Sequence, residues 1–146
     1  MKVVSENRRA RFDYQILETI EAGIILTGQE VKSARSGNMH LIGSYVSFLK
    51  GRAVLKKAKI QPYKYASGIE GFNPERDREL LLRGPERDRL EGLLTEKGMS
   101  VIPLEVHSGR TVKVLLGVGR GRKKGDKRER IKEREVMRRL RKGEEV

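Results

Sequence analysis

The chain has 146 residues, of which 36% are apolar and 36% charged, with a formal net charge of +13 and a sequence pI near 10.3. No stretch approaches the roughly 18 apolar residues of a membrane-spanning helix, no apolar run follows the N-terminal charges as in a secretory signal, and the lack of cysteine excludes a disulfide framework and thiolate chemistry. We therefore expect a cytoplasmic protein, one domain with an appendage, whose partner is nucleic acid rather than a membrane.

The C-terminal segment, residues 119–146, differs in composition from the rest of the chain. It holds thirteen Lys and Arg against six Asp and Glu, a surplus of +7, and the preceding 118 residues carry the other +6. Its large apolar residues are few: Ile131, Val136, Met137, Leu140 and Val146. Because so little apolar surface cannot offset the entropy of ordering, the sequence predicts a body over residues 1–118 and a tail that is disordered when free. Residues 126–142 lack Pro and Gly, which predicts that the tail becomes helical when it binds a polyanion.

The first half of the chain predicts one long strand and one hairpin. Residues 7–11 (NRRAR) form a short basic lead-in. Residues 14–26 are rich in Ile and Leu, which predicts a strand bent at Gly23, as the walls of barrels require. Residues 44–49 and 52–60 flank a Lys-Gly pair, the pattern of a β-hairpin.

A short helix is predicted between that strand and the hairpin. Thr27 followed three residues later by Glu30 matches a capping box, and the Gly37 region ends the element. Val31 and Ala34 fall on its inward face. The side chains predicted to point outward are Lys32, Ser33 and Arg35.

The second half predicts further strands. Residues 63–73 contain two glycines and are expected to form a surface loop. The leucines at 80–82 fit either a buried strand or the flank of a helix. Residues 102–107 and 111–118 alternate apolar and polar side chains, which predicts two antiparallel strands joined at Ser108-Gly109. The side chains predicted to point outward on the first of them are Pro103, Glu105 and His107.

A second helix is predicted between these segments. Pro85 after Gly84 suits a helix start, because the first helical position needs no N–H donor. The apolar stripe is Leu90, Leu93 and Leu94, and Gly98 is the predicted stop. Five or six strands and two or three helices without βαβ alternation indicate a mainly β fold. Its best match is a small antiparallel oligonucleotide-binding barrel (OB fold) with a basic, conditionally helical C-terminal tail.

The sequence contains no recognisable catalytic constellation. Its two histidines, His40 and His107, lie in different predicted elements, and no metal-ligand spacing accompanies them, so we expect no metal and no cofactor. His107 is predicted to be an exposed polar side chain on the outward face of its strand. The glycines of residues 117–125 do not match a nucleotide-binding loop and are expected to form a flexible exit from the last strand.

The main functional indication is electrostatic. Cations that neutralise phosphates release counterions, and this gives affinity for nucleic acid without base contacts. Arginine is abundant, and its planar fork suits phosphate. Only four Tyr and three Phe are present, so recognition of folded RNA by shape is favoured over stacking of single-stranded bases.

The motifs of the chain, in their order, resemble the SsrA-binding protein family, also called small protein B. The resemblance spans about residues 7–135. The matching motifs are NRRARFDY, LETIEAGIILTGQEVKSAR followed by SGN, GSYV, I-x-PY, NPERDRELLL, VIPL, VKVLLGVGRGRKK and DKRERIKERE.

The resemblance implies an oligonucleotide-binding barrel that holds the tRNA-like part of transfer-messenger RNA and enters stalled ribosomes with it. It also implies that the tail lies in the empty mRNA channel near the small-subunit rRNA decoding centre and that the protein is a monomeric adaptor, not an enzyme. Composition alone fits a second hypothesis, a ribosomal or ribosome-assembly protein with a similar barrel and tail. A small basic nuclease that uses scattered carboxylates is a third hypothesis, from a different class.

The same resemblance implies the RNA-binding residues. Those of the barrel are Asn7, Arg8, Tyr14, Glu21, Lys32, Leu81 and Lys113. Those of the tail are Arg120, Arg122, Lys123, Lys124, Asp126, Lys127, Arg128, Arg130, Lys132 and Arg134. Glu21 is predicted to accept hydrogen bonds from a base or a 2′-OH, or to orient a neighbouring arginine, whereas Leu81 fits the RNA face and the core equally well. Three residues depart from the family pattern: Gly125 stands where the family usually has His or Tyr, Val136 where it often has Trp, and Glu79 where Lys or Arg is usual.

Overall fold

The computed structural model describes residues 2–63, 72–122 and 134–135. In chain order the helices and strands of this part are β1 (Lys2–Glu6), α1 (Arg8–Asp13), β2 (Tyr14–Ile24), α2 (Gly28–Arg35), β3 (Met39–His40), β4 (Tyr45–Leu49), β5 (Arg52–Lys56), β6 (Lys59–Ile60), β7 (Arg78–Leu81), α3 (Gly84–Leu93), β8 (Met99–Ser108) and β9 (Val112–Gly121).

Seven of the strands form one curled antiparallel sheet in the order β1-β8-β9-β2-β7-β5-β4, and β3 pairs with β6 separately. Edge strand β4 returns to contact β8, so the sheet wraps into an open barrel. The predicted mainly β, OB-like architecture is confirmed. The predicted number of strands was too small for the described residues, because β1 and the two-residue strands β3 and β6 carry no long alternating pattern.

The main core fills the barrel with aliphatic side chains, among them the fully buried Leu55, Val106, Val114 and Leu116. A second, smaller cluster lies on the outer face, where Ala10 of α1 covers Ile102 and Leu104 of β8. Pro103, between those two residues, is buried as well, so the prediction that it points outward is wrong. Strand β8 is covered on both faces at this point, and a β-bulge between Pro103 and Glu105 interrupts the alternation that the prediction assumed.

Helix α1 forms where the sequence suggested only a basic lead-in. The side chain of Asn7 accepts a hydrogen bond from the backbone N–H of Ala10 and so caps the helix. Asn7 also donates through Nδ2 to the carbonyl oxygens of Leu41 and Pro103, at 3.2 Å and 2.9 Å. This one side chain therefore ties α1 to β8 and to the segment after β3.

Helix α2 confirms the predicted capping box. The Thr27 hydroxyl accepts from the Glu30 N–H at 3.2 Å, and the Glu30 carboxylate accepts from the Thr27 N–H at 2.9 Å. The outward prediction for Ser33 is wrong: it is fully buried, because its hydroxyl donates to the carbonyl oxygen of Gln61.

The predicted hairpin is confirmed as β4 and β5, with Lys50 and Gly51 both at positive φ, the conformation of a tight turn. The second strand ends earlier than expected. Lys57 also has positive φ, and the chain after it leaves β5 to form β6. Of the leucines at 80–82, Leu80 and Leu81 belong to strand β7 rather than to a helix flank, and Leu82 follows the strand.

Helix α3 begins at Gly84 with a proline in its first turn, as predicted, and buries Leu90. Leu93 and Leu94 pack against the core. The helix ends at Leu93, and Gly98, at positive φ, lies in the turn before β8.

Strand β9 runs through Gly121, three residues beyond the suggested end of the body at residue 118. The prediction that the glycines form a flexible exit is wrong for Gly117 and Gly119, which are buried in the sheet. A Cβ atom at Gly119 would overlap the backbone carbonyl oxygen of Gln15, and one at Gly117 would lie 2.7 Å from Cδ1 of Leu104. These glycines allow strands and side chains to approach closely.

Candidate nucleic-acid interface

Three of the predicted RNA-binding residues converge on the outer face of the sheet around Gly23. Strand β2 lies between β9 and β7, and Gly23 is opposite Lys113 on one side and Leu81 on the other. Directly paired residues in neighbouring strands share a face, and so do residues two apart in one strand. Glu21 therefore lies on the same face, beside Lys113. Residues 21, 81 and 113, far apart in sequence, form one surface.

Leu81 lies over Gly23 and faces solvent. A Cβ atom at Gly23 would be 3.2 Å from Cβ of Leu81, so the glycine leaves the space that the leucine uses. Leu81 is 55% exposed, whereas its neighbour Leu80 is 4% exposed and belongs to the core. The choice that the sequence left open between core and surface is thus decided in favour of the surface.

Glu21 is held by two cross-strand partners. Its Oε2 lies 3.0 Å from Nδ1 of His107 on β8, and its Oε1 lies 3.5 Å from Nζ of Lys113 on β9. The hydrogen bond with His107 lowers the pKa of Glu21 below its usual value, against the opposing effect of desolvation, and the charge of Lys113 lowers it further. Glu21 is therefore a fixed carboxylate beside a cation, with part of its surface still accessible.

His107 and Glu105 are site residues that the sequence reasoning missed. The His107 side chain is only 16% exposed, so the prediction of a freely exposed polar residue is wrong. Its Nε2 lies 3.7 Å from Oε1 of Glu105, and Oε2 of Glu105 lies 3.9 Å from the guanidinium of Arg11. The alternation along β8 indicated that Glu105 and His107 share the outer face of the sheet. The contact of His107 with Glu21 could be found only from the register of β2, β8 and β9.

Asn7 was predicted to bind RNA, and the structure gives it a different place. It is 2% exposed, and its side chain is engaged with Ala10, Leu41 and Pro103. Both of its polar side-chain atoms are satisfied inside the protein, so the structure offers no free side-chain group at Asn7 for RNA, and its contact with RNA stays a prediction. Its role is to position α1.

The other barrel residues of the predicted set lie apart from this surface. Arg8 is on α1, its side chain 89% exposed and 3.4 Å from a carboxylate oxygen of Glu6. Tyr14 is partly buried, packs against the small outer cluster and lines a groove of about 450 Å³ beside α1. Lys32 is exposed on α2, with its Nζ 5.8 Å from the centre of the Tyr63 ring.

Three of the predicted tail residues lie in the described part of the chain. Arg120 is in β9, 3.7 Å from a carboxylate oxygen of Glu96, and the backbone N–H of Arg122 donates to the carbonyl oxygen of Asp13 at 2.8 Å. Both belong to the barrel rather than to the tail. The guanidinium of Arg134 lies 5.2 Å from the ring centre of Phe12, within the range of a cation–π contact. The other predicted tail contacts lie outside the described residues: Lys123, Lys124, Asp126, Lys127, Arg128, Arg130 and Lys132. Two of the three departures from the family pattern, Gly125 and Val136, lie there too.

No group of three or more His, Asp and Glu side chains in the described ranges could hold a metal ion. Within residues 2–63 and 72–122, no helix is long and apolar enough to cross a membrane.

Comparison with known proteins gives a consistent result. The family model described as SmpB protein matches residues 4–145. An SsrA-binding protein of Synechococcus sp. (strain JA-3-3Ab) is 48% identical over 96% of this chain and 92% of its own length. An SsrA-binding protein of Chloroflexus aurantiacus is 48% identical over 93% of this chain and 86% of its own. A chain of the solved structure described as "tmRNA-SmpB: a journey to the center of the bacterial ribosome" is 43% identical, covers 86% of this chain and 92% of that one, and superposes with a TM-score of 0.69.

Proposed function

Because the chain belongs to the SmpB family of SsrA-binding proteins, we propose that it is an RNA-binding adaptor for transfer-messenger RNA. The barrel binds the tRNA-like domain of that RNA and delivers it to stalled ribosomes for trans-translation. The tail enters the empty mRNA channel near the decoding centre. The place of action is the cytoplasm, where ribosomes work.

The convergence of Glu21, Leu81 and Lys113 around Gly23 is the observation that carries this proposal. Lys113 offers an ammonium group for a phosphate. Glu21 offers carboxylate oxygens for the donors of a base edge or a 2′-OH. Leu81 offers an apolar surface, 55% exposed, against which a ribose or a base can pack. An anionic, an apolar and a cationic group in one small area suit short-range recognition of a folded RNA better than uniform attraction.

In this proposal the protein performs no covalent step. Both oxygens of Glu21 are engaged with His107 and Lys113, and the lowered pKa of Glu21 keeps it ionised near neutral pH, which makes it a poor proton donor. The RNA supplies the chemistry and the template, and the protein supplies shape and charge.

A charge-matched pair of variants tests the proposal. Lys113→Ala removes the cation of the surface, whereas Lys97→Ala removes an exposed cation near the opposite end of β8. Binding to an RNA copy of the tRNA-like domain is measured by fluorescence anisotropy, with bulk tRNA and a duplex RNA as competitors in a salt series. We expect Lys113→Ala to weaken binding about tenfold, from one lost charge-assisted contact worth roughly 1.5 kcal/mol, and Lys97→Ala to weaken it less than about twofold.

Two outcomes would contradict the proposal. Equal affinity of the unmodified protein for all three RNAs would favour the alternative of a ribosomal or assembly protein. Equal losses in the two variants would show that the surface around Gly23 acts only through net charge.

A further inference from the structure

His107 lies at the centre of a row of alternating charges on the outer face of the sheet. The row runs from Arg11 through Glu105, His107 and Glu21 to Lys113, with successive distances of 3.9, 3.7, 3.0 and 3.5 Å between charged or polar atoms. Three strands and one helix contribute to it. We call these five residues the His107 row.

The neutral form of the ring fits this place poorly. One ring nitrogen, Nδ1, is within hydrogen-bond distance of Glu21, and a proton there donates to the carboxylate. The other nitrogen, Nε2, is buried and has no hydrogen-bond partner in the described part of the chain, and the group that faces it is the carboxylate of Glu105. In the neutral ring one nitrogen must present a lone pair to a carboxylate: Nε2 to Glu105 in one tautomer, or Nδ1 to Glu21 in the other. In the charged ring both nitrogens carry a proton, and that repulsion becomes an attraction.

The remaining neighbours do not supply a competing charge at the ring. On β1 the residue directly opposite His107 is Val3. The nearest β1 carboxylate, Glu6, lies opposite Glu105 and is engaged by Arg8 at 3.4 Å. On β2 and β9 the facing groups are Glu21 and Lys113, and from α1 only Arg11 reaches the row, through Glu105.

Protonation changes the net charge of the row. With a neutral ring, its two cations balance its two carboxylates. With an imidazolium ring, the row carries one positive charge, 3.0 Å from the carboxylate at the centre of the proposed RNA face. An approaching phosphate backbone favours the charged form further, and by linkage the charged form favours the RNA.

We propose that His107 is a positioning residue of the RNA-binding face, which holds Glu21 in place and whose protonation tightens the binding of RNA. This inference rests on the proposed function and deepens it, because it makes recognition of transfer-messenger RNA dependent on pH. Histidine is the side chain whose ordinary titration lies between about pH 5 and 8. The pKa of Glu21 lies below its usual value because of the His107 hydrogen bond and Lys113, so this carboxylate stays ionised over that range.

The test compares affinities at pH 6 and pH 8 at constant ionic strength. The probe is a fluorescent RNA copy of the tRNA-like domain, with unlabelled bulk tRNA as the competitor. We expect the unmodified protein to bind the probe about fivefold more tightly at pH 6. In His107→Gln the side chain still donates to Glu21 but does not titrate, so the ratio of the two affinities should fall to about one.

Two further variants make the test specific. His40 is the other histidine of the chain and is exposed on β3, so His40→Gln should keep the fivefold ratio. Glu105→Gln removes the carboxylate that faces Nε2 and should reduce the ratio without removing the histidine. Urea unfolding of each variant at both pH values verifies that the folded state is compared throughout.

The outcomes separate this inference from the proposed function. If the protein prefers the probe over bulk tRNA but binds it equally well at pH 6 and pH 8, the inference about His107 is wrong and the proposed function stands. The same holds if His107→Gln keeps the fivefold ratio of the affinities at the two pH values. Equal affinity for the probe and bulk tRNA at both pH values overturns the proposed function and this inference with it.

Discussion

The buried ion pair between Glu30 and Arg78 gives the clearest test of how the scaffold is held together. Glu30 is 1% exposed and Arg78 is 0% exposed. Nε and Nη2 of Arg78 lie 2.8 Å and 2.7 Å from Oε2 of Glu30, and Arg76 donates to Oε1 at 2.5 Å. Arg78 also donates to the carbonyl oxygens of Ala58 and Pro74, at 2.8 Å and 3.0 Å. One guanidinium thus links α2, β7 and the segments after β5 and before β7.

Arg78→Met removes the hydrogen-bond donors of this guanidinium and keeps most of the side-chain volume. It leaves a buried carboxylate with Arg76, which is 42% exposed, as its remaining cationic partner. It also removes a donor from the Ala58 carbonyl, whereas the Pro74 carbonyl still accepts from the Ile60 N–H at 2.9 Å. Breaking a buried pair in this way costs about 3–5 kcal/mol, a large fraction of the roughly 5–15 kcal/mol that stabilises a typical domain. The free energy of unfolding is measured in urea by circular dichroism at pH 7.

Arg52→Met is the matched control, because Arg52 is 74% exposed and lies 3.5 Å from Glu79 on the neighbouring strand. We expect this variant to lose less than about 1 kcal/mol. If Arg78→Met were as stable as Arg52→Met, the ion pair would contribute no more than a surface contact, and the reasoning would be refuted.

The same pair predicts a sign for the pH dependence of stability. Burial acts to raise the pKa of Glu30, but hydrogen bonds from Arg76, the Thr27 N–H and Arg78 outweigh it and hold the pKa below its usual value. A folded-state pKa below the unfolded one gives stability that is present above the unfolded value, about pH 4.3, and is lost as the pH falls through the folded value. Glu30→Gln should therefore flatten the loss of stability as the pH falls below about 4.3. If the free energy of unfolding fell with acid as steeply in Glu30→Gln as in the unmodified protein, Glu30 would not be the group responsible.

Two further variants test the packing of the sheet and of α1. Gly119→Ala places a methyl group against the backbone of Gln15 and should lower the free energy of unfolding, measured in urea, by at least about 3 kcal/mol. Its control is Gly121→Ala, because nothing lies within 4 Å of a Cβ atom at that position. Equal stability of the two variants would show that β2 and β9 do not approach so closely at Gly119. Asn7→Ala removes a helix cap and one donor to each of the Leu41 and Pro103 carbonyls, of which that of Leu41 still accepts from Ser44, so we expect a loss of about 2–3 kcal/mol. RNA affinity measured on the folded fraction should change less than about twofold, and a larger change would favour Asn7 as a direct contact.

Features that depend on short-range signals could be predicted from the sequence. The capping box of Thr27 and Glu30 is a local pattern of hydrogen bonds, and it is present as expected. The turn at Lys50-Gly51 is set by the conformational freedom of glycine, and it also forms. The mainly β class follows from the alternation of β8 and β9. Each of these signals lies within about ten residues of sequence.

Features that depend on register could not be predicted in the same way. The contact between His107 of β8 and Glu21 of β2 depends on the pairing of both strands with β9. A shift of one residue in either pairing would place the two side chains on opposite faces. Helix α1 has six residues and one buried side chain, Ala10, so its sequence carries too little periodicity to mark it. The burial of Asn7 depends on carbonyl groups of residues 41 and 103, which are distant in sequence.

The distribution of charge indicates a division of labour between the two parts of the chain. Many cations of the barrel lie within 4 Å of a carboxylate oxygen: Arg8, Arg9, Arg11, Arg52, Lys56, Lys59, Arg87, Arg89 and Lys113. These pairs screen the barrel, so its attraction for a polyanion at long range is weaker than its number of arginines suggests. Residues 123–146, which follow the barrel, by contrast hold eleven Lys and Arg against six Asp and Glu, a surplus of +5 in 24 residues.

Counterion release scales with the number of phosphates that cations neutralise. A barrel with mostly paired charges should therefore contribute selectivity through its short-range contacts, while the tail contributes most of the dependence of affinity on salt. The proposed protonation of His107 would add one cation to the selective surface rather than to the tail. It should therefore change the preference for transfer-messenger RNA over bulk tRNA more than it changes the slope of affinity against salt.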